Sequence, residues 1–278
     1  MEGCVMGITE HNQNGLVYLT ADSFEAAGGV VHAFSTRKGG VSKGTFATLN
    51  LGIRRGDDPN LVRENYRILC GALGLPLERI VCSNQVHGNE VRTVTRKDAG
   101  KGLFYPVDYE TDGLVTNQAD LPLAVFSADC IPILLYDPVS QSIGAVHAGW
   151  RGTALKIAAL AVEKMGLEYG AASENILAAV GPGLSQCCFE SDGDVPDAME
   201  RAYGAPVRRY IAKKGRKWYL DLKGINAHCL ESAGVPAGHI SVSEDCTRCH
   251  PEKYWSHRAT GKDRGSMAAV ISLKRKGI

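Results

Sequence analysis

The sequence lacks several features that would assign it to a broad class at once. Its 31 basic residues are balanced by 30 acidic ones, which leaves a formal net charge of +1. This balance excludes the strongly basic surface typical of proteins that bind nucleic acid or anionic membranes. No apolar run is long enough to span a bilayer. Residues 1–6 show no basic stretch followed by an apolar one, so we expect no secretory signal.

Repeats, linkers and low-complexity segments are also missing, as are the Walker A and dinucleotide-binding fingerprints. The nine cysteines are odd in number and irregularly spaced. Such a count argues against a disulfide framework and predicts reduced thiols in a cytoplasmic protein. At 278 residues the chain can bury a large core, and we predict one α+β domain over residues 1–278.

Apolar patterning predicts the secondary structure. Predicted strands lie at 15–20, 30–36, 80–82, 91–95, 123–127, 131–136, 143–146, 176–180, 240–242 and 267–273. Predicted helices lie at 57–73, 153–165, 195–203 and 222–233, and residues 98–112 are predicted to form a loop. The first strand is expected at a sheet edge. The strands between 121 and 147 are almost entirely apolar, which is typical of strands covered on both faces.

Three polar residues interrupt apolar or glycine-rich stretches: His87, Cys130 and His147. Imidazole and thiolate are the ligand types that zinc prefers. Three protein ligands leave one coordination position open for water or substrate, as in catalytic sites. Their spacing matches no short-range zinc pattern, so the sequence leaves open whether they meet. Each has a simpler interpretation as a buried or surface side chain.

The segment Gly149-Trp150-Arg151-Gly152 follows a predicted strand and begins a predicted helix. Glycine allows a close approach of the backbone, while helix N-terminal N–H groups and an arginine favour an anion. We therefore predict a phosphate or substrate site that includes Arg37, Asn50, Arg151 and Arg258. A structural role remains the alternative for each arginine.

Cys246 and Cys249 form a Cys-x-x-Cys pair without a second such pair, and Cys187 and Cys188 are interpreted as packed thiols.

These segments together resemble a family of bacterial purine nucleoside phosphorylases formerly described as laccase-domain or multicopper polyphenol oxidase proteins. The resemblance covers nearly the whole chain. It is carried by Ser35-Thr36-Arg37-Lys38-Gly39-Gly40-Val41-Ser42, Leu49-Asn50-Leu51-Gly52, Gly56-Asp57-Asp58-Pro59, Gln85-Val86-His87-Gly88, Ala128-Asp129-Cys130-Ile131-Pro132, His147-Ala148-Gly149-Trp150-Arg151-Gly152 and Cys246-Thr247.

The resemblance implies a four-layer α/β/β/α fold with mixed sheets, similar to bacterial toxin domains that use a Cys-His pair. It implies a zinc ion on His87, Cys130 and His147. The implied reactions are phosphorolysis of adenosine, inosine and methylthioadenosine and deamination of adenosine, with purine nucleosides and phosphate as partners and a monomer favoured. Gly183 and His257 depart from the family pattern, where some members carry cysteine and an aromatic residue.

Deamination by zinc enzymes normally uses a glutamate as proton shuttle, and the sequence identifies none. Asp129 neighbours Cys130, but strand alternation would place it on the opposite face.

Other functions remain open at this stage. Cys130 could be a nucleophile with His147 as its base, in a hydrolase of amides or esters. Copper-dependent phenol oxidation would agree with the older family description, although the chain lacks the many histidines that coupled copper sites require. A metal-storing or cell-division accessory module is the alternative that involves no catalysis.

Overall fold

The computed structural model describes residues 7–275, so residues 1–6, where no secretory signal is expected, lie outside it. The strands are β1 Ile8–Gln13, β2 Leu16–Ala21, β3 Val30–Ser35, β4 Val81–Cys82, β5 Val91–Thr93, β6 Gly113–Thr116, β7 Leu123–Ser127, β8 Ile131–Asp137, β9 Ser142–Ala148, β10 Leu177–Val180, β11 Glu190–Ser191, β12 Ile211–Lys214, β13 Lys217–Leu220, β14 Ile240–Val242 and β15 Met267–Leu273. The helices are α1 Asp22–Ala27, α2 Pro59–Leu73, α3 Trp150–Ala154, α4 Ile157–Tyr169, α5 Asp194–Tyr203, α6 Leu222–Ser232 and α7 His257–Thr260.

Two six-stranded sheets form the centre of the molecule. The first has the order β1-β2-β3-β15-β7-β4, and the second has the order β14-β10-β8-β9-β6-β5. Both are mixed, because β4 runs parallel to β7, β14 parallel to β10 and β5 parallel to β6, whereas the other pairs are antiparallel. The short strands β11, β13 and β12 form a separate small sheet.

The two large sheets pack face to face between two layers of helices. Strand β8 shows how the sequence specifies this, since Leu134 and Tyr136 point into the core between the sheets, while Ile133 and Leu135 point to the opposite face. That opposite face is covered by α4 and α6. Helix α2 covers the outer face of the first sheet. The four-layer α/β/β/α architecture with mixed sheets is therefore confirmed, whereas the likeness to Cys-His toxins stays a prediction.

Helix α2 follows its sequence signals closely. Asp58 is the N-cap, and its side chain accepts a hydrogen bond from the Asn60 backbone N–H. Pro59 occupies the first turn, where its missing N–H is not needed. Gly74 ends the helix in the left-handed conformation.

The largest departure from the predicted elements lies between 150 and 170. The predicted helix 153–165 is two helices, because α3 ends at Ala154 and Lys156 adopts a φ of 59° before α4 begins. The predicted edge strand 15–20 is β2, which β1 covers on its outer side. The elements α1, β1 and β6 were not predicted. Within residues 7–275, no helix combines the length and hydropathy needed to cross a membrane.

Candidate active site

Strand register brings two of the three candidate ligands together. Strands β8 and β9 are antiparallel, and Ile131 is paired with Ala148, so Cys130 lies beside the end of β9. His147 is the penultimate residue of β9. His87 lies in the loop that follows β4 and adopts a φ of 61°, a left-handed conformation rare outside glycine.

The ligand atoms of His87, Cys130 and His147 all lie within 4.8 Å of one another. The two imidazole rings meet edge to face, with their centroids 4.9 Å apart. His147 is buried, Cys130 is partly buried and His87 is exposed. The structure thus places together the three residues that the sequence singled out, and their role as metal ligands stays a prediction.

Asp112 holds this group in place and was missed by the sequence analysis, which assigned it to a loop. The buried carboxylate accepts a hydrogen bond from His147 Nδ1–H at 2.7 Å. It also accepts the backbone N–H groups of Val86, His87 and Gly88, at 2.8–3.1 Å. One carboxylate therefore fixes the ring of one candidate ligand and the backbone of another. The sequence feature that could have indicated Asp112 is its position directly before the apolar segment Gly113–Thr116.

The electrostatics of these residues favour a charged Cys130–His147 pair. Burial alone would raise the pKa of Cys130, but the neighbouring His147 and His87 lower it to about 6. Burial would likewise lower the pKa of His147, but Cys130 and Asp112 raise it to about 9. Burial also raises the pKa of Asp112, yet the hydrogen bonds from His147 and the backbone produce a net lowering.

The donor set fits a zinc ion. His147 uses Nδ1 for Asp112, so its Nε2 remains for a metal, an arrangement in which a carboxylate orients a zinc-binding histidine. Cys130 already favours the thiolate form that binds metal. Imidazole nitrogen and thiolate sulfur are ligands that zinc prefers, and three protein ligands leave the fourth position open, as in catalytic zinc sites.

A cavity of about 670 Å³ opens beside these residues, within the size range of small-molecule sites. His87, Cys130 and His147 line it together with apolar side chains such as Phe126 and Leu184. Among the described residues, Asp129 is the carboxylate on its wall, and no glutamate lines it.

Five arginines line the cavity: Arg54, Arg55, Arg151, Arg258 and Arg264. Within residues 7–275, none of them forms an ion pair with a carboxylate. Arg264 is only 5% exposed, and its Nε has no hydrogen-bond partner among the described residues. Burial and the nearby charge of Arg55 lower the pKa of Arg264 to about 10. An anion between these two guanidinium groups would relieve their repulsion.

Of the predicted substrate residues, Arg151 and Arg258 reach the cavity. Arg151 lies over the Trp150 ring, 4.4 Å from its centroid. Arg258 donates from Nη1 to the carbonyl oxygens of Cys188 and Glu190, at 3.4 and 3.0 Å. Arg264 was not predicted as a substrate residue. The sequence feature that could have indicated it is its position in the polar segment before β15.

Arg37 and Asn50 are not placed in the cavity wall. Arg37 donates to the carbonyl oxygens of Pro251 and Ala47 at 2.8 and 2.9 Å, and it lies 3.8 Å from the centroid of the Trp255 ring. The buried Asn50 side chain accepts the N–H groups of Gly52 and Ser266 and donates to Asp57. Both side chains use their polar groups to hold loops together, and their role in binding substrate stays a prediction.

Asp129 also differs from expectation, because it lies in the turn between β7 and β8 and strand alternation does not apply to it. Its φ of 97° is a strained value for a residue other than glycine. The carboxylate accepts hydrogen bonds from Thr247 Oγ1 and the Arg258 backbone N–H, both at 2.6 Å.

The two departures from the family pattern have different structural settings. A Cβ on Gly183 would collide with the Ile131 side chain and lie 3.0 Å from the Asp129 carbonyl oxygen, so this chain needs glycine there. His257 lines the cavity, and its Nδ1 lies 2.9 Å from the Gly261 carbonyl oxygen.

Comparison with known proteins places this site in a family. The family model described as multi-copper polyphenol oxidoreductase laccase matches residues 31–274. Purine nucleoside phosphorylase YlmD of Geobacillus stearothermophilus is 39% identical over 252 residues, which cover 89% of this chain and 92% of that protein. Adenosine deaminase RL5, from an unknown prokaryotic organism, is 33% identical over 257 residues, covering 88% and 94%. The crystal structure of YlmD from Geobacillus stearothermophilus superimposes with a TM-score of 0.86 at 35% identity, covering 96% of this chain and 99% of that one.

Proposed function

The chain belongs to the family described as multi-copper polyphenol oxidoreductase laccase, and we propose that it is a metal-dependent purine nucleoside enzyme. Its main reaction is phosphorolysis of adenosine, inosine and methylthioadenosine, and its second reaction is adenosine deamination. The whole of residues 1–278 forms the catalytic domain, which acts in the cytoplasm. The observation that carries the proposal is one cavity with a His-Cys-His group and a set of arginines without carboxylate partners.

Zinc is the proposed ion, held by His87, Cys130 and His147. A zinc ion with an open position polarises a substrate oxygen or lowers the pKa of a bound water toward neutrality. Asp112 keeps the His147 ring oriented and its Nδ1 protonated. Copper is disfavoured because the described residues near the cavity do not provide the several histidines of coupled copper sites.

Phosphorolysis requires an anion next to the ribose. A phosphate oxygen forms a bond to C1′ while the bond from C1′ to the purine nitrogen breaks, and the bonding electrons leave with the base. Arg264 and Arg55 provide the charge that holds phosphate for this attack, and Arg151 and Arg258 extend the basic wall. Phe126 and Phe189 contribute apolar surface on which a purine ring can pack.

Incubation of the purified protein with adenosine and phosphate should yield adenine and ribose 1-phosphate. The Cys130→Ala variant should lose this activity by at least about 100-fold, because a metal ligand is removed. Products are measured by chromatography, and the control is Cys70→Ala, a buried cysteine of α2 away from the cavity. An unchanged rate for Cys130→Ala would refute the zinc mechanism.

A second candidate is a Cys-His hydrolase, which is favoured by the low pKa of Cys130 beside a protonated His147. Metal removal separates the two functions when turnover of adenosine with phosphate and turnover of an amide or ester are both measured. A zinc enzyme loses turnover to a chelator and regains it with zinc, whereas a thiolate nucleophile keeps its activity without metal.

Replacement of Arg264 by methionine should raise the KM for phosphate by about 10- to 100-fold, the equivalent of one charge-assisted hydrogen bond of about 1.5–3 kcal/mol. The KM for adenosine should stay nearly constant, because the base and ribose do not use this charge. Steady-state kinetics at varied phosphate provide the measurement, with exposed Arg63→Ala on α2 as the matched control. An unchanged KM for phosphate would place the anion away from Arg264.

A further inference from the structure

A second group of cysteines lies outside the candidate active-site group. Cys187, Cys188, Cys246 and Cys249 place their four sulfur atoms within 4.8 Å of one another. The sulfur of Cys249 is 3.7 Å from that of Cys187 and 3.5 Å from that of Cys188, and the sulfurs of the adjacent pair are 3.6 Å apart. The Cys-x-x-Cys pair therefore has partners that spacing along the chain does not reveal.

Sheet topology explains why these distant segments meet. Strands β10 and β14 are parallel neighbours, so the segments that follow them leave the same edge of the sheet. An isolated bridge between Gly183 and Cys246 continues this pairing, and the Thr247 N–H donates to the Gly183 carbonyl oxygen at 3.1 Å. The cysteine pairs lie directly beyond this contact.

The three sulfur–sulfur distances among Cys187, Cys188 and Cys249 are close to those of a tetrahedral metal site, and the Cys246 sulfur lies within 4.8 Å of the other three. Zinc binds thiolate at about 2.3 Å, so the sulfurs of a regular ZnS₄ tetrahedron are about 3.8 Å apart. A disulfide would instead require about 2.0 Å between two sulfurs. We propose that Cys187, Cys188, Cys246 and Cys249 bind a structural zinc ion. Four protein ligands close the coordination sphere, in contrast to the three of the cavity.

Backbone hydrogen bonds support thiolate character at Cys246. The Ser185 N–H donates to its sulfur at 3.5 Å. A hydrogen bond of this kind favours the charged form of a sulfur and orients it as a metal ligand.

The proposed ion would join two loops, one of which lines the cavity. Leu184 and Phe189 flank the adjacent cysteines and line the cavity. On the other loop, Thr247 Oγ1 donates to Asp129, which is next to Cys130. The ion would thus stabilise the cavity wall without taking part in the reaction. This inference does not depend on the proposed function.

Metal analysis of the full chain, purified under reducing conditions and supplied with zinc, tests the proposal. The wild type should hold two zinc ions per chain. His87→Ala/Cys130→Ala should hold one, Cys246→Ser/Cys249→Ser should hold one, and the control Cys70→Ala should hold two. X-ray absorption of zinc-loaded His87→Ala/Cys130→Ala should show only sulfur neighbours at about 2.3 Å.

Cys187→Ser keeps the test decisive if the double serine variant does not fold. Cys187 is exposed, so its replacement costs little packing, and loss of one sulfur should accelerate zinc release to a chelator by at least about 10-fold. The proposal fails if His87→Ala/Cys130→Ala binds no zinc, if nitrogen appears in its coordination shell, or if the site contains iron. It also fails if mass spectrometry of anaerobically purified protein shows these cysteines as disulfides.

Discussion

Replacement of Asp112 by alanine should lower zinc affinity about 10- to 100-fold and the free energy of unfolding by about 3–5 kcal/mol. The buried carboxylate accepts four hydrogen bonds, one from His147 and three from the backbone N–H groups of residues 86–88. Alanine would leave these donors without a partner and free the His147 ring to rotate. Zinc competition titrations and urea unfolding measure the two effects.

Two variants make this test specific. Asp108→Ala removes an exposed aspartate that pairs with Lys101 in the preceding loop, and its effect on the free energy of unfolding should be much smaller than that of Asp112→Ala. Asp112→Asn keeps an oxygen acceptor but loses the charge, so its affinity should lie between those of wild type and alanine. Wild-type affinity in Asp112→Ala would contradict the role of Asp112 in orienting His147.

The pH dependence of unfolding provides a further readout for Asp112. Its pKa is lowered in the folded protein, so its contribution to stability is complete above the unfolded pKa of about 3.9 and is lost as pH falls through the folded value. The difference in stability between metal-free wild type and Asp112→Asn should therefore narrow in acid.

The parts of the fold that the sequence predicts are those in which local chemistry and tertiary packing agree. Helix α2 has its own cap at Asp58 and its own stop at Gly74, so its bounds can be read without knowledge of its neighbours. Strands β7, β8 and β9 are covered on both faces, and their almost entirely apolar composition is enough to predict this burial.

Two of the missed features depend on contacts with residues that are distant in sequence. Strand β6 has only four residues and pairs with β9 and β5. Its apolar pattern is therefore too short to predict the strand or a role for Asp112, which precedes it. The break between α3 and α4 occurs at Lys156, where a left-handed residue interrupts an otherwise helical sequence. Tertiary contacts override local preference at both positions.

The candidate site also has residues that the sequence predicts and residues that it does not. Unusual residue types indicated His87, Cys130 and His147, because imidazole and thiol groups stand out in apolar or glycine-rich stretches. Arginine is common on surfaces, and the sequence does not separate Arg37, which holds loops together, from Arg264, which is buried in the cavity wall. Charge identifies candidates for anion binding, but burial and the absence of a carboxylate neighbour decide among them.

Replacement of Gly149 by alanine should lower kcat/KM for adenosine phosphorolysis by about 100-fold through displacement of the site by a single methyl group. Gly149 has a φ of −70° and a ψ of 171°, so alanine causes no backbone strain. The added Cβ would lie 2.9 Å from His87 Cδ2 and 3.3 Å from Cys130 Sγ. His87 has little freedom to retreat, because its N–H and those of its neighbours are bound to Asp112.

Loss of turnover and of zinc without unfolding would identify displacement of the site as the cause. Crowding should cost about 1–3 kcal/mol in stability, so the protein should remain folded while zinc affinity and turnover fall. Gly238→Ala is the matched control, since its added Cβ would have no atom within 4 Å. Wild-type zinc affinity and turnover in Gly149→Ala would contradict the prediction that contact with the added Cβ displaces His87 and Cys130.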